Sequence, residues 1–206
     1  SGLSSVLVAL FYARSLGAIE WVKALLLILV AVSAQIASNI ANDLIDYKKG
    51  ADTDERKGPL RPLSKGLLTE REVKQALYIS LAALLISGIF LIALSSCWLL
   101  FIGGFISIGI FAYSGGPYPL SYHGLGDVAV LVFFGWIPTL TSFYILRGTV
   151  SDSTIWHLAT AIGLASVNIL VVNNYRDVEE DRKAGKQTLI VRMGKDFAPR
   201  LYLTLG

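Results

Sequence analysis

Two stretches of this chain carry carboxylates and amides at helical spacing. The first reads Asn39-Ile-Ala-Asn42-Asp43-Leu-Ile-Asp46 and runs on to Asp52 and Asp54. The second reads Asn173-Asn174-Tyr175-Arg176-Asp177 and runs on to Asp181. On a helix, Asn39, Asp43 and Asp46 are spaced by four and three residues and share one face; Asn174, Asp177 and Asp181, spaced by three and four, share another. Placing Asn42 on Asn173 aligns Asp46 with Asp177, so the two stretches read as a repeat offset by 131 residues. Two facing clusters of hard oxygen ligands suit Mg²⁺, which takes few protein carboxylates and completes its shell with water and phosphate oxygens. The same stretches supply Lys48, Lys49, Arg56, Arg61, Lys65, Arg182, Lys183 and Lys186. Acid, metal and guanidinium together make a site for a diphosphate. The plain alternative is a solvated rim of charge, and the repeated Asn/Asp spacing argues against it.

The elements that must position these groups are legible from charge. Of the 206 residues, 54% are hydrophobic and 16% charged, and the mean hydropathy is +0.60. A soluble domain would carry about 25% charge. Uncharged runs cover 24–42, 75–126, 128–146 and 153–175. A crossing of the bilayer takes about 20 apolar residues. The expected fold is therefore an all-α polytopic transmembrane helix bundle with five complete spans, at 24–42, 75–94, 97–114, 128–146 and 153–175. Partial spans at 3–12 and 201–206 suggest one intramembrane domain over 1–206, truncated at both ends. Eight of the 18 Lys and Arg residues lie in 48–74 and seven in 176–200, which puts both Asp-rich loops on the cytoplasmic side. The expected surroundings are a lipid bilayer; the net charge of +3 gives no reason to expect a nucleic acid. Cys97 is the single cysteine, so there is no internal disulfide. Gly103-Gly104 and Gly109 are expected to permit close helix packing, and Asp127 to be a first-turn charge at a helix start.

At these residues the chain resembles the intramembrane aromatic prenyltransferases of the UbiA-type superfamily. Asn42-Asp43-x-x-Asp46 and Asp177-x-x-x-Asp181 match its two aspartate-rich motifs, and Arg61-Pro62-Leu63-x-x-Gly66 matches the loop after the first. Gly58-Pro59-Leu60-Arg61-Pro62-Leu63, Gly115-Gly116-Pro117-Tyr118, Gly124-Leu125-Gly126-Asp127 and Gly185-Lys186-x-Thr188-Leu189 look most similar to the 1,4-dihydroxy-2-naphthoate polyprenyltransferase branch, in menaquinone biosynthesis. Two departures stand out. Gly50 occupies the place of a frequent third aspartate, and Leu120-Ser121-Tyr122-His123 follows Tyr118-Pro119 where a lysine is common.

The resemblance implies a ring of nine helices and transfer of a polyprenyl group from polyprenyl diphosphate to a small aromatic acceptor, dihydroxynaphthoate, which loses its carboxyl group to give demethylmenaquinone. It implies that Asp43, Asp46, Asp177 and Asp181 hold Mg²⁺, with Asn42, Asn173 and Asn174 as amide ligands or orienting partners. Arg61, Lys65 and Lys186 would contact the diphosphate. Tyr113, Tyr118 and Tyr122, at the end of the fourth span, are placed to shield the allylic cation with their ring faces or to anchor at the membrane interface; Tyr118, inside its motif, is the one expected to shield. Other acceptors on the same scaffold are 4-hydroxybenzoate, homogentisate, a porphyrin or a chlorophyllide. A cation-coupled secondary transporter is the reading from another class.

Overall fold

The computed structural model describes residues 2–48, 62–63, 65–113 and 115–206; Arg61, and with it Lys49, Gly50, Asp52, Asp54 and Arg56, lies outside the described residues. Among those described the chain is all helix, in nine segments: α1 (Gly2–Ser15), α2 (Trp21–Lys48), α3 (Glu70–Leu94), α4 (Leu99–Ala112), α5 (Gly126–Arg147), α6 (Ser153–Arg176), α7 (Val178–Lys183), α8 (Leu189–Met193) and α9 (Phe197–Leu205). Of these, α2, α3, α5 and α6 are long and apolar enough to cross a bilayer. Outward faces are oily: Ile79, Ile86 and Phe90 on α3 and Phe101 on α4 stand exposed, a pattern that suits a lipid surrounding. The chain is an integral membrane protein.

The expected count of five complete spans becomes four. α4 has 14 residues, about 21 Å at 1.5 Å per residue, against a hydrocarbon core of about 30 Å. Absence of charge marks where a chain tolerates lipid; it does not mark where a helix ends. Here a turn at 95–98 starts the helix late, and the Gly115–Pro119 bend, with Gly116 at φ +76°, stops it early.

Local chemistry fixes the helix starts. Thr69 and Glu72 form a reciprocal capping box at α3, with the Thr69 N–H donating to Glu72 Oε2 at 2.8 Å and the Glu72 N–H to Thr69 Oγ1 at 3.3 Å. Asp152 caps α6 by accepting from the Thr154 N–H at 2.8 Å and also accepts from the Tyr12 hydroxyl. These donors hold the Asp152 carboxyl below the ordinary carboxylate range, the Tyr12 hydroxyl contributing most.

Two glycines set the central helix contact. A Cβ on Gly135 would fall 2.5 Å from the Gly163 Cα, so α5 and α6 touch backbone to backbone. Gly135 sits in a π-helical turn over Leu131–Trp136, and such turns recur at functional sites. Gly109 of α4 packs as expected, its would-be Cβ meeting the Phe133 ring at 2.4 Å, whereas Gly103 and Gly104 have nothing within 4 Å. Elsewhere α2 and α3 enclose Ala37, Ala41, Leu44, Val73 and Leu77. The start of α5 and the end of α6 pack with α7–α9 through Val130, Val171, Val178, Ile190 and Ala198. This packing brings the ends of α2 and α6 to the same end of the bundle.

Candidate functional site

Between the helix ends lies a polar recess of about 160 Å³. α2 contributes Asn42 and Asp46, α6 contributes Asn174 with Asp177 at its end, and α7 contributes Asp181. Asp46 is 3% exposed and Asp177 8%. Carboxylates so buried need cations beside them. For Asp177 one is Arg176, whose Nε and a terminal nitrogen reach its two oxygens at 2.6 and 2.7 Å. For Asp46 it is Lys186, whose Nζ donates to Oδ2 at 3.3 Å and lies 3.8 Å from Asp181 Oδ1. Lys186 also stands over the Tyr122 ring, 5.4 Å from its centroid. One ammonium thus joins the two acidic corners.

The backbone that carries Lys186 is clamped. Its N–H donates to Asp181 O at 2.8 Å, and the Gln187 N–H to Tyr122 O at 3.0 Å. Gly124, at φ +75°, lets the 119–125 loop pass under Gln187: a Cβ there would sit 2.8 Å from the Gln187 carbonyl. Thr188 then caps α8 by accepting from the Val191 N–H.

Inward from the recess opens an apolar cavity of about 550 Å³, walled by side chains of α1–α6. Its polar lining includes a stripe on α2, Gln35, Asn39 and Asn42, with Gln35 Nε2 donating to Asn39 Oδ1 at 3.2 Å. Asn173 borders the cavity from α6. Asn42, Tyr113 and Leu170 line both spaces. The whole is amphiphilic: an oily chamber with a charged mouth.

Asn42, Asp46, Asn174, Asp177, Asp181 and Lys186 thus converge on the recess as the sequence leads one to expect, with Asn173 at the cavity edge. Asp43 is half-buried on α2 and lines neither space; the α2 face that does runs Gln35, Asn39, Asn42, Asp46. Lys65 is exposed in the turn before α3. Tyr118 also lines neither space. It is 56% exposed and stacks on His123 at 3.7 Å, while His123 Nδ1 lies 2.8 Å from Pro119 O. The ring at the junction is Tyr113. Sequence reasoning also undervalued Asp127. It faces the recess from the first turn of α5, with a buried Oδ1 that has no hydrogen-bond partner; its place in the Gly124–Asp127 motif was the available signal.

Among the described residues no three carboxylates or other ligating side chains converge as a closed metal cage. The recess instead offers scattered oxygens, including the buried, unpartnered Oδ1 of Asn42. Such a donor set fits a hard divalent cation that takes part of its shell from phosphate or water.

Compared with known proteins, the chain matches the UbiA prenyltransferase family over residues 2–206. It is 42% identical over 188 residues to a 1,4-dihydroxy-2-naphthoate octaprenyltransferase of Escherichia coli (strain K12), covering 88% of this chain and 61% of that protein. It is 41% identical to the enzyme of the same name from Mycobacterium tuberculosis, covering 91% and 63%. The chain therefore spans about three fifths of the length of these relatives. In fold it is similar to the apo structure of a UbiA homolog from Aeropyrum pernix K1, at 17% identity and TM-score 0.74, over 99% of this chain and 74% of that one. A UbiA homolog from Archaeoglobus fulgidus, solved with DMAPP and Mg²⁺, gives TM-score 0.65 at 19% identity over 98% and 70%.

Proposed function

The chain belongs to the UbiA prenyltransferase family, and from that premise we propose that it moves a polyprenyl group from polyprenyl diphosphate onto 1,4-dihydroxy-2-naphthoate, with Mg²⁺. The observation that carries this is the joined pair of spaces. A prenyl diphosphate is a charged head on an oily tail, and the polar recess adjoins the apolar cavity, the two sharing Asn42, Tyr113 and Leu170 in their linings.

The recess residues bind and orient the head. Asp46, Asp177, Asp181 and the Asn42 amide oxygen would hold the cation, with Asp43 in reserve one turn away; Lys186, and Arg61 and Lys65 from the preceding loop, would meet diphosphate oxygens. When bound, Mg²⁺ supplies positive charge to the departing diphosphate. The allylic C–O bond breaks and the diphosphate leaves with the electron pair. Preorganised cations at that point lower the barrier because they need no reorganisation as charge develops. The apolar wall keeps water from the allylic cation, and the Tyr113 ring faces the space where it forms. The acceptor ring carbon that bears the carboxyl group attacks, and a C–C bond forms. The carboxyl group departs as CO2, returning its electrons to the ring, and its proton goes to the diphosphate side. The product is the quinol form of demethylmenaquinone.

Support for the acceptor comes from the relatives named for dihydroxynaphthoate and from the Gly124–Asp127 and Gly185–Leu189 motifs. The excess of Lys and Arg in the loops after α2 and α6 supports a cytoplasmic mouth in a bacterial cytoplasmic membrane, and one intramembrane domain over 1–206. The test is to give membranes holding the full-length protein a polyprenyl diphosphate, Mg²⁺ and either dihydroxynaphthoate or 4-hydroxybenzoate. Mass spectrometry of the lipids should find a prenylated naphthoquinone lacking the carboxyl carbon. Product from 4-hydroxybenzoate alone would overturn the acceptor.

A further inference from the structure

Lys186 stands where a cation bound between the two acidic corners would stand. Its Nζ is 3.3 Å from Asp46 and 3.8 Å from Asp181, and its side chain is only 16% exposed. A divalent ion drawing on both carboxylates at metal–oxygen distances near 2 Å cannot share that position with an ammonium. Two cations a few ångströms apart in a partly buried site also repel strongly. The geometry points to Lys186 as an internal counter-ion that must vacate the space between the corners before the metal can enter.

This rests on the function proposed above and deepens it. A diphosphate arriving in the recess gives the ammonium a new partner of higher negative charge. The lysine stem can swing there through its own side-chain torsions, because the backbone stays pinned by Lys186 N–H to Asp181 O and Gln187 N–H to Tyr122 O. Lys186 then no longer occupies the space between Asp46 and Asp181 that the metal would take. Lys186 is in this sense a positioning residue that makes metal binding depend on diphosphate. Without substrate it shields the carboxylates and holds metal affinity low; with substrate it adds to the charge facing the leaving group. Linkage requires the reverse as well: metal raises diphosphate affinity by the same factor that diphosphate raises metal affinity.

The test needs no turnover. Mn²⁺ binding to the full-length protein in lipid nanodiscs is followed by electron paramagnetic resonance, with and without inorganic diphosphate. In the unmodified protein Mn²⁺ should bind weakly alone and at least about tenfold more tightly with diphosphate. Lys186→Met should bind Mn²⁺ alone about tenfold more tightly than the unmodified protein and gain less from diphosphate. Lys186→Arg, which keeps the charge, should restore weak binding. Arg200→Met, exposed on α9 away from the recess, controls for net charge and should change affinity by less than about threefold, since solvent screens it. Equal Mn²⁺ affinity in Lys186→Met and the unmodified protein, with the gain from diphosphate intact, overturns the inference alone. A rise in Arg200→Met equal to that in Lys186→Met also overturns it. No Mn²⁺ binding in any variant, with or without diphosphate, overturns it together with the metal-dependent reading of the site.

Discussion

Asn42 on α2 and Tyr113 at the end of α4 each line both the charged recess and the oily cavity, and so mark the neck where the two spaces adjoin. The reacting carbon of a prenyl diphosphate lies where head meets tail, and so at this neck. A ring there stabilises a passing cation by about 2 kcal/mol when desolvated, roughly thirtyfold in rate. Tyr113→Ala should lower turnover by about that factor, with more prenyl alcohol formed by water capture. Tyr118→Ala, on an exposed ring stacked on His123, should stay within about twofold of normal. Product and prenyl alcohol quantified together by mass spectrometry would check both, and the opposite ranking would return the role to Tyr118.

Asp46 and Asp177 come from the two repeated stretches and meet in one recess. Asp46→Asn and Asp177→Asn should each cost at least about a hundredfold in turnover while leaving a folded, monodisperse protein in detergent. Asn fills nearly the same volume, so the loss reports charge. Near-normal rates in either variant would sink the two-corner site.

The α5–α6 contact carries a stability expectation. Gly135→Ala drives a methyl to within 2.5 Å of the Gly163 backbone, and overpacking of this kind costs about 1–3 kcal/mol. Gly103→Ala enters open space and should be neutral or up to about 1 kcal/mol stabilising, as helical Gly→Ala is. Thermal unfolding in detergent should rank unmodified protein above Gly135→Ala, with Gly103→Ala no lower than unmodified.

The sequence made the acidic corners plain because periodicity of three and four is a property of the helix itself; α2 runs unbroken through Asn42–Asp46, and α6 runs through Asn173–Arg176 to its cap at Asp177. Which side of α2 faces inward is set by tertiary packing, which put Asn42 rather than Asp43 on the cavity. Tyr113 and Tyr118 stand five residues apart at a bend, and no periodicity survives the Gly115–Pro119 bend to say which ring turns in. Charge runs located the spans, yet the π-helical turn of α5 lies at the tertiary contact of Gly135 with Gly163, and α4 ends early at a bend where Gly116 takes a positive φ. Asp127 read as a helix-start charge for the same reason: its first-turn position is local, while the acidic groups of the recess it faces, Asp46, Asp177 and Asp181, come from distant parts of the chain.

The most direct test of the central claim is product formation by the full-length protein under metal depletion and repletion. Polyprenyl diphosphate and dihydroxynaphthoate are supplied throughout, and released diphosphate and prenylated naphthoquinone are measured together. Both should form one for one with Mg²⁺, cease with excess EDTA, and resume when Mg²⁺ is restored. Product forming at an unchanged rate in EDTA, or diphosphate released with no prenylated ring in any condition, would contradict a metal-dependent transfer at the joined recess and cavity.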